Sequence, residues 1–284
     1  MTGIDVVHTV DELRQVVDRA ARGGLRVGLV PTMGALHDGH ASLVARAAAD
    51  NDVVIATVFV NPLQFAPTED LSAYPRTLAA DVELCARHGA THVFAPSNDE
   101  MYPGPMYTTV SVAGVSERLE GASRPTHFAG VATVVAKLFA LAGPCRSYFG
   151  EKDYQQLAVI ATMAANLSFP VEVIGCATVR AADGLALSSR NAYLTDEQRH
   201  AAPVLYRALC AGRDVVAAGE RSPAAVEAVL AEVIGHEPLA ELDYVAVVRA
   251  SDLARIDPLA GTLRLLVAAR IGRARLIDNM GAEA

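Results

Sequence analysis

A chain of 284 residues is long enough to bury one large hydrophobic core or two of ordinary size. Hydrophobic residues make up 52% of the chain and charged residues 20%, a globular composition that excludes an intrinsically disordered protein. The formal net charge of −8 argues against a general nucleic-acid binder, because such a protein carries a basic stripe on its surface.

The first part of the chain predicts a βαβ unit. Thr9 and Glu12 form a capping box for a first helix, which Gly23 and Gly24 end. A buried strand is expected over 26–30, a helix over about 41–49 and a second strand over 53–60. This order implies parallel strands joined by a right-handed crossover.

The alternation of helix and strand continues to residue 176. Helices are predicted over about 81–88, 128–141 and 153–166, and each leads into a strand, over 92–95, 146–149 and 171–176. The alternation predicts an α/β fold with a Rossmann-like, doubly wound parallel sheet. Its ligand site should lie at the carboxyl ends of the strands.

The pattern changes after about residue 180. Ala-rich helices are predicted from a second capping box, Thr195 with Gln198, to about residue 234. Apolar runs follow at 242–248, at 263–269 and near Leu276. These elements predict a smaller C-terminal α+β domain, with domain limits at 1–178 and 179–284.

The cysteine spacing, the first residues and the apolar runs of the sequence indicate the cellular compartment of the protein. The four cysteines lie far apart without CxxC spacing, which predicts neither a zinc site nor a disulfide framework. The first residues show no basic segment followed by an apolar stretch, so no signal peptide is expected. No uncharged apolar run reaches about 18 residues. We therefore expect a cytoplasmic protein with no membrane partner.

The strongest local signal is PTMGALHDGH, residues 31–40, between the first strand of the βαβ unit and its helix. Gly34 and Gly39 allow the backbone to approach a ligand closely, and the N-terminus of the following helix suits a phosphate. His37 and His40 could donate hydrogen bonds to a phosphate that gains charge during transfer. They could instead be surface residues, part of a purely structural loop or a partial metal site, although zinc needs further ligands nearby.

A second signal is FGEKDYQQ, residues 149–156, at a predicted strand–helix junction. The chain has 22 arginines but only two lysines, Lys137 and Lys152. A lysine kept at this junction indicates a need for a compact ammonium, which acts on phosphate as a point charge. Asp153 could equally cap the helix, and that role is compatible with a functional one.

A third signal is DGLALSSRN, residues 183–191, just beyond the expected domain boundary. Two hydroxyl groups and a guanidinium in sequence offer several hydrogen-bond donors to a triphosphate. Alone, SSRN could be an ordinary polar turn. Combined with the histidine loop, it gives an arrangement that is typical of nucleotidylyl transferases.

Together with FVNPLQF, YPRT, RPTHFAGV and the C-terminal LVAAR and RLIDN, these segments follow the order and spacing of the pantothenate synthetase family. The chain resembles that family over essentially its whole length. The resemblance implies a homodimeric, AMP-forming ligase, with an ATP- and pantoate-binding domain at 1–178 and a lid domain at 179–284. It implies that pantoate and ATP form pantoyl adenylate, from which β-alanine displaces AMP. Mg²⁺ would accompany the ATP, and all partners outside the dimer would be small molecules.

The resemblance also implies site residues, position by position. The residues lining ATP would be Met33, Gly34, Ala35, Leu36, His37, Asp38, Gly39, His40, Gly150, Glu151, Lys152, Asp153, Val179, Leu187, Ser188, Ser189 and Arg190. Those acting on the reacting phosphates would be His37, His40, Lys152, Ser188, Ser189 and Arg190. The substrate-binding residues would be Gln64, Gln156, Asn61, Arg124 and His127. Of these, Gln64 and Gln156 would hold pantoate, and Gln64 would also lie beside the β-alanine site.

The chain departs from the family pattern at two places. Leu187 stands where the serine-rich motif usually has Met, a volume-conserving exchange. Asp81 is the candidate Mg²⁺ ligand, but Ala80 and Leu84 stand where relatives carry further acidic or amide residues. The metal is therefore expected to be held mainly by phosphates and water.

Other classes of protein make different demands on the sequence. A nucleotidylyltransferase with a phosphate acceptor needs more cationic residues near Gln64 and Gln156, and a tRNA synthetase fragment needs a basic surface. A dinucleotide-dependent redox enzyme needs GxGxxG after the first strand, where this chain has PTMGALHDGH. An inactive ATP-binding module would show itself only by absent turnover.

Overall fold

The computed structural model describes residues 3–65, 71 and 74–284. The chain divides into two compact units, which we call unit 1 (Met1–Glu151 and Val159–Ala177) and unit 2 (Lys152–Ala158 and Thr178–Ala284). The short segment Lys152–Ala158 therefore belongs to unit 2, although the chain before and after it belongs to unit 1. The elements predicted from the sequence did not indicate that this segment belongs to unit 2.

Unit 1 contains a six-stranded, wholly parallel sheet. Its strands are β1 (Asp5–Val7), β2 (Val27–Val30), β3 (Val53–Thr57), β4 (His92–Phe94), β5 (Cys145–Gly150) and β6 (Val171–Cys176). Their order in the sheet is β1-β4-β3-β2-β5-β6. The predicted α/β class and parallel sheet are confirmed. Strand β1 was not predicted, since three residues are too few to show a period.

Seven helices accompany the sheet in the described part of the chain. They are α1 (Val10–Arg22), α2 (Asp38–Asp50), α3 (Leu78–Arg87), α4 (Asn98–Met101), α5 (Glu120–Ser123), α6 (His127–Ala142) and α7 (Tyr154–Asn166). Helix α1 begins as predicted, because Thr9 accepts a hydrogen bond from the Glu12 N–H while the Glu12 carboxylate accepts one from the Thr9 N–H. Helix α2 begins three residues earlier than predicted.

The sheet reverses its order of strands next to β2. Strands β3 and β4 follow β2 on one side, whereas β5 and β6 follow on the other, with Gly28 of β2 opposite Arg146 of β5. The segments after Val30 and after Gly150 therefore leave the same edge of the sheet from neighbouring strands. In open α/β sheets this reversal point is where ligands bind.

A tight apolar core supports this edge. Leu43, Val44 and Ala47 of α2 pack with Val30 and Ala56 of the strands, and all five are buried. Each buried Val or Leu side chain contributes roughly 1.5–3 kcal/mol. The strand ends that carry the histidine loop are thus anchored by packing.

Unit 2 has a smaller α+β architecture. Its helices are α8 (Asp196–Ala201), α9 (Val204–Ala217) and α10 (Pro223–Gly235), and its antiparallel strands are β7 (Ala240–Arg249), β8 (Thr262–Ile271) and β9 (Ala274–Glu283). The Thr195–Gln198 capping box opens α8 as predicted. Strand β9 is much longer than the apolar run near Leu276, because it continues through Asp278 and Asn279, which are buried.

Within the described residues, no helix combines the length and the apolar character needed to cross a membrane.

Candidate active site

The histidine loop is held by a buried carboxylate. Gly34 and Ala35 both have positive φ angles, of 85° and 52°. The N–H groups of Ala35 and Leu36 donate to Asp81, over 3.1 Å and 2.8 Å, and the Thr77 hydroxyl donates to the same carboxylate over 3.2 Å. Successive N–H groups in this conformation form an anion-binding nest. In this protein Asp81 itself fills the nest.

Gly34 is required by this arrangement. A Cβ atom at position 34 would lie 3.0 Å from the Asp81 carboxylate and 3.0 Å from a Val58 methyl group. The positive φ adds a conformational penalty for any residue with a side chain. Gly34, which the sequence predicted would let a ligand approach the backbone, therefore also leaves room for the Asp81 carboxylate that holds the loop.

His37 and His40 cap the start of α2. The Nδ1 atom of His37 accepts from the N–H of Gly39 over 3.1 Å, and Nδ1 of His40 accepts from the N–H of His37 over 3.3 Å. The two ring centroids are 4.2 Å apart. A ring that accepts at Nδ1 is neutral and carries its proton on Nε2. Each histidine therefore has an Nε2–H donor at the positive end of a helix, which suits a phosphate oxygen.

Gln64 ends a tight turn, Pro62–Gln64, that is fixed by Asn61. The amide of Asn61 donates to the Gly130 carbonyl over 3.0 Å and to the Gln64 side-chain oxygen over 3.2 Å. The hydroxyl of Tyr102 donates to the Asn61 side-chain oxygen over 2.7 Å. Asn61 and Gln64 are only 1% and 8% exposed. Asn61 thus holds the Gln64 amide in one orientation.

Arg124 and His127 contact the same turn. Arg124 donates to the Gln64 main-chain carbonyl over 3.4 Å, and His127 Nδ1 lies 3.0 Å from that oxygen. The Gln64 amide nitrogen contacts the Met33 sulfur in the histidine loop. The structure therefore brings together four of the expected substrate-binding residues, and Gln64 joins them to the loop expected at the ATP site.

Unit 2 contains a cleft with a cationic lining. Its polar side chains are those of Lys152, Ser188, Arg190, Asn191, Arg275 and Asp278. The Lys152 ammonium lies 3.3 Å from Asp153, and its side chain is only 17% exposed. The Ser188 hydroxyl accepts from the Arg190 N–H over 3.2 Å and begins the turn Ser189–Tyr193. In an acidic protein, this cleft is a locally positive place for an anion.

The loop that carries Ser188 folds back on itself. The Leu187 N–H donates to the Val179 carbonyl over 3.0 Å, and Arg180 pairs with Ala186 in an isolated antiparallel bridge. Arg180 also binds Asp278 through both terminal nitrogens, over 2.6 Å and 2.9 Å. The segment from Val179 to Leu187 is therefore held to the C-terminal sheet of unit 2.

The expected site residues are divided between the two units. Unit 1 contains Met33, Gly34, Ala35, Leu36, His37, Asp38, Gly39, His40, Asn61, Gln64, Asp81, Arg124, His127, Gly150 and Glu151. Unit 2 contains Lys152, Asp153, Gln156, Val179, Leu187, Ser188, Ser189 and Arg190. Ser189 and Arg190 are exposed, and Gln156 lies half-buried on α7.

The comparison with protein families decides the classification. The family model described as pantoate–β-alanine ligase matches residues 5–281. The chain belongs to the pantoate–β-alanine ligase family. It is 50% identical over 280 residues to the pantothenate synthetase of Moorella thermoacetica, with 99% of both chains covered. It is 52% identical over 279 residues to that of a Roseiflexus species, covering 98% of this chain and 99% of the relative.

Solved structures of the same family share the fold. Pantothenate synthetase from Thermus thermophilus superposes with a TM-score of 0.93 at 49% identity, covering 99% of this chain and 100% of that one. A pantoate–β-alanine ligase from Francisella tularensis, complexed with beta-gamma ATP and beta-alanine, gives a TM-score of 0.79 at 32% identity. That match covers 98% of this chain and 97% of the other.

Asp81 does not fit the role of a Mg²⁺ ligand in this ligase. Its carboxylate is 2% exposed, and each oxygen accepts from one backbone N–H and from Thr77. Among the described residues, no group of three or more His, Cys, Asp or Glu side chains could hold a metal ion. We therefore assign Asp81 to positioning of the histidine loop.

Burial makes two of the thiols in this ligase poor nucleophiles. All four cysteines are free, and burial raises the pKa of Cys85 to about 11 and that of Cys145 to about 12. Both thiols are therefore protonated at neutral pH and do not compete for the chemistry of the site.

Two contributors were missed from the sequence. Tyr102 orients Asn61, and burial raises the pKa of its hydroxyl, so it stays a donor at neutral pH. Asn279 contacts the main chain of Lys152 from strand β9. The only sequence signal for Asn279 was its place in the RLIDN segment, a buried strand interrupted by two polar residues.

Proposed function

We propose that the protein condenses (R)-pantoate with β-alanine at the expense of ATP, giving pantothenate, AMP and pyrophosphate through a pantoyl-adenylate intermediate. The observation that carries the proposal is the pair of histidines that cap the N-terminus of α2, in a loop that follows β2 at the sheet's reversal point and contacts the buried Gln64 turn. Full-length identity of about 50% to pantothenate synthetases supports the same reaction. The Francisella relative with beta-gamma ATP and beta-alanine supports both of these ligands.

The first step is adenylation. A carboxylate oxygen of pantoate attacks the α-phosphorus of ATP, and the bond to the pyrophosphate oxygen breaks. Negative charge develops on the phosphate oxygens, and Nε2–H of His37 and His40 would donate to them. Lys152, Ser188, Ser189 and Arg190 would supply further donors and positive charge to the triphosphate. Catalysis here is positioning plus charge stabilisation, as expected for a poor nucleophile meeting an anion.

The second step is amide formation. The amine of β-alanine attacks the carbonyl carbon of the adenylate, the bond to the AMP oxygen breaks, and the nitrogen loses a proton. The mixed anhydride would hydrolyse in contact with water, which favours a domain that encloses it. We therefore assign residues 1–178 to ATP and pantoate binding and residues 179–284 to a lid.

Pantoate recognition is assigned to neutral amides. Gln64 presents a side chain held by Asn61, while Arg124 and His127 hold its main-chain carbonyl. Gln156 would serve the same substrate. Neutral amides can bind the hydroxyl and carboxylate oxygens of pantoate without fixing the carboxylate in an ion pair. The nucleophile therefore keeps its reactivity.

Three further features complete the proposal. Mg²⁺ would accompany ATP and neutralise its phosphates, with ligands from phosphate and water, because the described residues offer no cluster that fits it.

The four free cysteines agree with a protein that stays in the reducing cytoplasm. We also propose a homodimer, which sedimentation at several protein concentrations would test.

Isotope exchange tests the reaction. With ATP, Mg²⁺ and pantoate but no β-alanine, labelled pyrophosphate should exchange into ATP, because adenylation is reversible. Adding β-alanine should yield AMP and pantothenate in equal amounts. Exchange that requires β-alanine would contradict a two-step mechanism, and ADP as the product would replace the adenylate with an acyl phosphate.

A further inference from the structure

Two adjacent polar residues lie buried in the middle of strand β9. Asp278 is 4% exposed and Asn279 is 3% exposed. Burial of a polar group without a partner is costly, so the partners of such residues indicate their purpose. Both residues bind segments that line the cationic cleft of unit 2, and neither has a role in the reaction proposed above.

Asn279 binds the main chain of Lys152. Its amide nitrogen donates to the Lys152 carbonyl over 2.7 Å, while its amide oxygen accepts from Arg264 Nε over 2.7 Å. A carbonyl on one side and a guanidinium on the other determine which end of the amide carries the oxygen. The side chain therefore has one orientation, and Lys152 is fixed by it.

A second contact fixes the same segment two residues further along. The guanidinium of Arg264 lies over the Tyr154 ring, 3.9 Å from its centroid, and the Tyr154 hydroxyl donates to the Ala250 carbonyl over 3.1 Å. Asn279 and Arg264 thus act together on Lys152 and Tyr154. These contacts explain why Lys152–Ala158 belongs to unit 2.

We propose that Asn279 is a positioning residue for adenylation: it fixes the Lys152 backbone so that the ammonium lies in the cleft with Ser188 and Arg190. The proposal rests on the proposed function, in which Lys152 acts on the phosphates of ATP. A shift of about 1 Å in a positioned group can cost about a hundredfold in rate. Asn279 contributes through that geometry and without contact with substrate.

The sharpest variant is Asn279→Asp. It keeps an oxygen for Arg264 and replaces the donor to the Lys152 carbonyl with a second oxygen, which repels that carbonyl. Pyrophosphate–ATP exchange with pantoate should fall by about tenfold to a hundredfold. The rate of amide formation from supplied pantoyl adenylate and β-alanine should stay within about twofold of that of the unsubstituted enzyme. In that step the leaving group is AMP, and no pyrophosphate departs.

A double-substitution cycle with Lys152→Ala separates positioning from general stability. Lys152→Ala alone should slow exchange by about a hundredfold to a thousandfold. If Asn279 acts through the ammonium, Asn279→Asp should slow exchange by less than about threefold in the Lys152→Ala background. Full additivity of the two effects would overturn the proposal.

Glu227→Gln is the matched control in the same unit. Glu227 accepts from the Val247 N–H over 3.2 Å and pairs with Arg255 over 2.7 Å, and it does not line the cleft. The substitution also changes one atom of a largely buried polar side chain. It should lower the melting temperature while leaving the exchange rate of the folded enzyme unchanged.

The remaining outcomes are distinguishable. Absence of exchange in the unsubstituted enzyme would reject the proposed function itself. Exchange at the normal rate in folded Asn279→Asp would reject only the positioning role. If Asn279→Asp and Asn279→Ala both fail to fold, Asn279 serves the fold and the proposal is rejected.

Discussion

The geometry of the histidine loop depends on Asp81, a single residue of another helix. Its carboxylate fills the nest formed by the N–H groups of Ala35 and Leu36, the two residues that precede His37 in the chain. The sequence could place Asp81 only near a possible metal site, since hydrogen bonds across about 45 positions leave no local pattern. The histidines themselves stood out because their spacing and flanking glycines are local features.

Asp81→Ala should weaken the use of ATP without changing the need for Mg²⁺. Removing the acceptor leaves two buried N–H groups unsatisfied, at about 1–3 kcal/mol for each. We expect exchange to slow by at least tenfold and the KM for ATP to rise, measured across a range of Mg²⁺ concentrations. Glu83→Gln, on the exposed side of the same helix and paired with Arg87, serves as the control. If excess Mg²⁺ restored the exchange rate of Asp81→Ala, Asp81 would be a Mg²⁺ ligand and the positioning role would be wrong.

Gln64→Ala should affect pantoate far more than ATP. The substitution removes neutral hydrogen bonds in a buried site, worth on the order of 1–3 kcal/mol, or roughly a tenfold to hundredfold loss in kcat/KM for pantoate. ATP binding, measured directly by calorimetry, should change little because no phosphate contact is lost. Unchanged steady-state constants for pantoate in a variant with a normal melting temperature would remove Gln64 from the substrate site.

At the scale of elements, the predictions succeed where a local rule decides and fail where a tertiary contact decides. The Thr9 and Thr195 caps were correct because the capping box is written within four residues. Helix α2 was predicted to start too late, since its cap is His37, outside the usual set of capping residues. Strand β9 was predicted too short because its polar residues are satisfied by distant partners.

At the scale of the whole molecule, the sequence predicted two architectures but not the path of the chain between units. Lys152–Ala158 belongs to unit 2 through contacts such as that between Lys152 and Asn279, which are 127 positions apart. No period or motif encodes such a pair. The candidate site was predicted from its motifs, whereas the long-range contacts of Asp81, Tyr102 and Asn279 appear only in the three-dimensional structure.

The stability of the whole molecule should fall in two stages as the pH decreases. Burial lowers the pKa of His92 on β4, against the opposing effect of Asp5, with a smaller lowering from Arg19. Below about pH 6.5, His92 binds a proton in the unfolded chain but stays neutral in the folded chain. The free energy of unfolding is therefore highest above that pH and declines below it. A second contribution comes from carboxylates such as Glu12, whose pKa is lowered by hydrogen bonds from the N–H groups of His8 and Thr9. Their stabilising effect is lost only below about pH 4, where they become protonated.

Melting temperatures between pH 8 and pH 3 should show both stages. In His92→Asn the upper stage should shrink while the lower one persists, and an unchanged upper stage would show that other groups produce it.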